Sequence, residues 1–178
     1  MKSPYYLERI LAHPRAKDML KLFPNSKEVT ETFGAWEAVQ KHLPHLDRAN
    51  PDIVAIVIGD GHSPRTGALI AMSTSWEVHS IDPLLRPKHV GKIKRLHVHR
   101  EPFPSSSVDG FEGKRVVVVA VHSHAPFEPI LNIRCSHMDA VAIPCCVPHV
   151  LPNLKPQIYA DAAIWSPERN VHVWKGIK

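Results

Sequence analysis

A chain of 178 residues is long enough for one compact domain with a full core and too short for two ordinary ones. Hydrophobic residues at 44% and charged residues at 22% exclude a disordered or collagen-like chain. A net charge of +5, with 13 histidines able to add more, favours an acidic partner such as RNA or DNA.

Three cysteines, two of them adjacent (Cys145, Cys146), make no disulfide framework and fit a reducing compartment. No N-terminal stretch has the basic, apolar, small-residue layout of a signal peptide, and no apolar run approaches the ~20 residues that span a bilayer. The expectation is a cytoplasmic protein without a membrane association.

Residues 1–50 read as an N-terminal helical extension ahead of a core domain at 51–178. Tyr6, Leu7, Ile10 and Leu11 share one helical face, Pro14 interrupts, and Met19, Leu20 and Leu22 resume it before Phe23-Pro24. Asn25 then offers an N-cap with Glu28 three residues on, and Val29, Phe33, Trp36, Val39 and Leu43 form the apolar stripe of a longer helix. That stripe is expected to pack on the sheet; a protein partner docking through the N-terminal helices is the alternative.

The stretch Ile53 to Pro83 organises the core. An apolar run (Ile53 to Ile58) breaks into a glycine-bearing turn (Gly59, Asp60, Gly61), followed by a small-residue helix pattern (Thr66 to Met72) and a short strand stopping at Asp82. Strand, tight turn, helix, strand, acid is the order of a nucleotide-type binding site.

Leu84 to Lys92 is basic and proline-interrupted, and Ile93 to Arg100 alternates as a third strand running into Glu101-Pro102. Pro102, Pro104 and Ser105 to Ser107 mark a loop. The run Val116 to Val121 has the β-branched continuity of a strand buried on both faces, and it ends at His122. Phe127 to Arg134 reads as a short helix and Asp139 to Ile143 as a fifth strand, ending at Pro144-Cys145-Cys146. Ala160 to Ser166 and Val171 to Lys175 read as a hairpin around Pro167 to Asn170. Alternating strands and crossovers predict an α/β, doubly wound, mostly parallel sheet with an antiparallel C-terminal hairpin.

From about Ile53 to Gly176 this layout resembles the Rossmann-like S-adenosylmethionine-dependent methyltransferases, through the loop GDGHSPRTG, the strand-ending Asp82 and the terminal hairpin. More narrowly, Val121-His122 with Ile143-Pro144-Cys145-Cys146 and His149 is similar to a subgroup with a histidine after strand four and a Pro-Cys-Cys step after strand five. That subgroup includes enzymes thought to act on tRNA. The resemblance implies a bound S-adenosylmethionine and a methyl transfer, with RNA as acceptor.

Gly59 and Gly61 let the backbone turn sharply and approach a ligand. Asp82 is placed to accept hydrogen bonds from ribose hydroxyls, or else to order its own turn. Asp60 faces the cofactor's ammonium group or orders the glycine turn, and Glu101 either approaches the adenine or is a solvated loop acid. His122 and His124 are the candidates for base or substrate positioning, because imidazole titrates near neutrality. The cluster Arg86, Lys88, Lys92, Lys94, Arg95 and Arg100, with His89, His97 and His99, suits a phosphate backbone.

Two alternatives stand beside this. A non-catalytic binding or assembly subunit fits the segment HSHAP after the fourth strand, which lacks the carboxylate or Asn-Pro-Pro motif of many such enzymes. A metal-dependent hydrolase fits His122, His124, Cys145, Cys146 and His149, which offer thiolate and imidazole ligands for zinc. Their spacing is no standard zinc pattern, so no metal ligand is assigned.

Overall fold

The computed structural model describes residues 5–86 and 93–178. The apolar run Ile53–Ile58 is β1, and all six of its residues are buried because both faces of the strand are covered. Glu77–Ile81 (β2) and Leu96–His99 (β3) extend the sheet on one side, Gly110–Val121 (β4) and Arg134–Ile143 (β5) on the other, all parallel. Gln157–Ala160 (β6) and Asn170–Trp174 (β7) close it, with β7 antiparallel to both β5 and β6. The resulting order, β3-β2-β1-β4-β5-β7-β6, is the mostly parallel sheet with a terminal antiparallel hairpin expected from the sequence.

The order turns back between β1 and β4, and a sheet of this kind leaves a crevice at that point, outside the carboxyl ends of the strands. Register decides what reaches it. Ile58 pairs with Ile81 on one side and Ala120 on the other, so Gly59, Asp82 and the turn after Val121 emerge at one edge.

Among the described residues four α-helices cover one face: Tyr5–Ala12 (α1), Ala16–Leu20 (α2), Ser26–His42 (α3) and Arg65–Ser73 (α4). Asn25 starts α3 by accepting the Glu28 N–H at 3.0 Å. Val29, Phe33, Trp36, Val39 and Leu43 are all buried, in one cluster with Val57, Val119 and Val141 of the sheet. The apolar stripe is therefore spent on the sheet. A second side of α3 is also covered: Ala35 and Ala38 are buried, and a Cβ on Gly34 would stand 2.6 Å from Ile164 Cδ1.

The opposite face, carrying Val54, Ile56, Val116 and Val118, is closed among the described residues by Phe103, Val108, Phe127, Ile130 and Leu151 from loops and single 3-10 turns. The expected helix at Phe127 to Arg134 is one of these turns, Glu128–Asn132.

Two strands start earlier than expected. β4 begins at Gly110, with a register irregularity between Phe111 and Arg115, and β5 begins at Arg134. Their leading halves are partly exposed and so carry no continuous apolar run. The first hairpin strand lies at Gln157–Ala160 rather than Ala160 to Ser166, because Asp161 turns the chain. Its Oδ1 accepts the Ala163 N–H at 2.8 Å and its Oδ2 accepts the Tyr6 hydroxyl at 2.5 Å. Among the described residues no helix is long and apolar enough to cross a membrane.

Candidate functional site

The sheet edge just described opens into a cavity of about 520 Å³. One wall is the start of α3 (Lys27, Glu28, Glu31, Thr32); the floor is the Gly59-Asp60-Gly61 turn and the start of α4. The far side is Asp82 to Leu84 with Phe103, and His122 to Pro126 close it.

The turn after β1 demands its glycines. Gly59 and Gly61 both sit at φ +72°, a conformation that costs a residue with a Cβ roughly 1–2 kcal/mol. At Gly59 there is also no space, since a Cβ would stand 2.3 Å from Ser123 Oγ. Thus β1 and the segment after β4 touch at the switch point.

Asp60 is buried, and its carboxylate accepts three hydrogen bonds. Oδ1 accepts the Thr66 N–H at 2.9 Å, and Oδ2 accepts the Gly67 N–H at 2.9 Å and the Ser80 hydroxyl at 2.8 Å. Of the two roles open to it, the one visible in the structure is ordering the turn, by capping α4 and pinning it to β2. Burial raises its pKa, opposed by the hydrogen bonds from Gly67, Thr66 and Ser80.

Asp82 lines the cavity half-buried. Its Oδ2 accepts the Gly61 N–H at 2.9 Å and its Oδ1 the Leu84 N–H at 2.7 Å. A carboxylate has about four lone-pair positions, so each oxygen keeps one for a ligand hydroxyl. Glu101 does not line the cavity, although Pro102 and Phe103 do. Hydrogen bonds from Ser105 and then Ser107 hold its pKa below the usual carboxylate value.

His122 and His124 both reach the cavity, with different partners. His122 has φ +50°, uncommon for a residue with a Cβ, and its Nε2 lies 3.3 Å from Glu31 Oε1. Glu31 is 3% exposed and is also held by Lys27 Nζ at 2.7 Å. Burial lowers the His122 pKa and Glu31 opposes that shift. His124 instead turns toward the cysteines, with Nε2 3.4 Å from Cys146 Sγ.

Glu31 and Lys27 were not among the residues singled out from the sequence. Glu31 falls off the apolar stripe of α3, where a charged residue reads as solvated. The available signal was Gly34, Ala35 and Ala38, also off that stripe: small residues there mean close packing on a second side of the helix.

The basic cluster after β2 is only partly in view. Lys88, His89 and Lys92 lie outside the described residues. Arg95 donates from Nη2 to the Thr74 carbonyl at 2.8 Å and is structural, while His79 stacks between His97 and His99 at centroid distances of 4.8 and 5.2 Å.

No family model matches this chain, and no curated protein matches it. Solved structures do resemble it. A structure of MtNAS in complex with MTA and tNA aligns over 97% of this chain and 69% of its own, at 12% identity and a TM-score of 0.59. A mutant of MtNAS in complex with S-adenosylmethionine aligns over 97% of this chain and 75% of its own, at 10% identity and a TM-score of 0.52. The shared fold is Rossmann-like α/β. At these identities the likeness establishes fold and nothing about the reaction.

Proposed function

We propose that the cavity binds S-adenosylmethionine and that the protein transfers a methyl group from it to RNA. The observation that carries the proposal is the pairing of two left-handed glycines with a carboxylate retaining free lone pairs, across a cavity at the switch point of the sheet. The volume lies within the range of small-ligand sites, about 300–1,000 Å³, and one neighbour of the same fold is a complex with S-adenosylmethionine.

Asp82 would hold the ribose hydroxyls, with Gly59 and Gly61 presenting backbone to the ligand. The bound cofactor supplies an electrophilic methyl on a sulfonium. The protein's part is alignment of the acceptor and removal of its proton. Glu31 and His122 form one titratable pair among the groups that line the cavity, with Lys27 holding the carboxylate in place. Support for an RNA acceptor comes from the +5 charge.

Incubation of the protein with methyl-labelled S-adenosylmethionine and total RNA tests the reaction. Label should enter RNA with the native protein and be lost with Glu31→Gln, while cofactor binding persists. Label that enters small molecules or protein instead would refute the choice of acceptor.

A further inference from the structure

Pro144-Cys145-Cys146 leaves β5 beside the segment that carries His124 out of β4, and the three side chains converge. Cys145 Sγ lies 3.7 Å from Cys146 Sγ, which lies 3.4 Å from His124 Nε2. All three atoms fall within 4.8 Å of one another. Zinc bonds of about 2.3 Å to sulfur and about 2.0–2.1 Å to nitrogen, at the tetrahedral angle, set edges of about 3.75 Å for S···S and about 3.5–3.6 Å for S···N. The two edges at Cys146 match these to within about 0.2 Å, and the third, from Cys145 to His124, is at most 4.8 Å.

We infer that His124, Cys145 and Cys146 form a binding site for a borderline-soft divalent ion, zinc above all. Two thiolates and an imidazole select such an ion over magnesium or calcium. Three protein ligands leave one tetrahedral position for water or a substrate atom, the arrangement of reactive rather than purely structural zinc. His124 is the ligand that lines the cavity.

A further imidazole lies nearby in the chain. His149, three residues after Cys146, is 3% exposed, and neither ring nitrogen has a hydrogen-bonding partner among the described residues. Its ring packs edge-on against Phe127 at a centroid distance of 4.9 Å, and it lies outside the group whose ligand atoms fall within 4.8 Å of one another, so the site has three protein ligands. The site stands apart from the cofactor proposal, because ion binding is read with no S-adenosylmethionine present.

The reduced, chelator-stripped protein titrated with Co²⁺ gives the decisive readout. The expected result is one ion per chain, with a thiolate-to-cobalt charge-transfer band and tetrahedral d–d absorption, both abolished by added Zn²⁺. Cys146→Ser, at an exposed position, should remove one of the two thiolate contributions, about half of the charge-transfer band, and weaken binding at least about tenfold. His124→Ala should weaken binding while keeping the band, and Cys135→Ser should change neither. Absence of the band, or a band intact in Cys146→Ser, overturns the inference. So does cobalt absorption without charge transfer that disappears in His137→Ala, which would place the ion at His45, His137 and Asp139 instead.

Discussion

Replacing Asp60 by Asn separates a carboxylate that builds the site from one that binds the ligand. The native oxygens accept three hydrogen bonds, from Thr66 N–H, Gly67 N–H and Ser80 Oγ. Asparagine has one acceptor oxygen, so whichever way it turns, one N–H of the first turn of α4 faces an NH₂ group. The Ser80 hydroxyl can rotate to adapt, and the backbone N–H cannot. Leaving one buried donor unmet costs about 1–3 kcal/mol, partly offset because no charge is now buried. A melting point lower by about 3–10 °C follows for a chain of this size, read by calorimetry at neutral pH. Ser80→Ala, which removes only the hydroxyl partner, should cost about 0.5–1.5 kcal/mol. An Asp60→Asn protein that melts with the native one would show that this hydrogen-bond cluster does not hold the turn.

Gly59→Ala should both destabilise the protein and distort the cavity, and Ser123→Gly in the same chain should recover the part due to the 2.3 Å contact. About 1–2 kcal/mol from the left-handed backbone would remain; full recovery, or none, would contradict the geometry. His79 is held down to a pKa of about 4, chiefly by burial and against its hydrogen bond with Glu77. Between pH 6.5 and 4 the unfolded chain therefore binds a proton that the folded chain does not, and stability falls as pH drops through that window. From pH 7 to pH 5 this residue should contribute about 1–2 kcal/mol of loss, and denaturant midpoints for His79→Gln should fall less steeply with acid. Tyr6→Phe removes the 2.5 Å hydrogen bond to Asp161 that ties α1 to the loop before β7. About 1.5–3 kcal/mol should be lost for a bond to a charged acceptor, seen as a lower urea midpoint at unchanged slope.

Legibility of the sequence followed burial. Ile53–Ile58 and Val116 to Val121 are covered on both faces, so they read as unbroken apolar runs and were placed without ambiguity. The starts of β4 and β5 are partly exposed and carry no such run. Local chemistry of Asp161 moved the hairpin, because a side chain that caps its own turn leaves no periodicity to read. In the site, Gly59, Gly61 and Asp82 were legible because their chemistry is tied to their place at strand ends. His124, Cys145 and Cys146 were visible as ligand types, but only the fold brings their ligand atoms within 4.8 Å of one another. Glu31 was not legible as a site residue: its burial depends on a second covered side of α3, and its contact with His122 spans distant parts of the chain.

The cavity between Gly59 and Asp82 is the proposed seat of S-adenosylmethionine. Isothermal titration of the native protein and of Asp82→Ala tests it most directly. Saturable binding is expected for the native protein, weakened about tenfold or more in Asp82→Ala, as loss of hydrogen bonds worth about 1.4 kcal/mol requires. Absence of binding by the native protein up to about 1 mM ligand, a limit of roughly −4 kcal/mol, would contradict it, as would equal affinity in the two proteins.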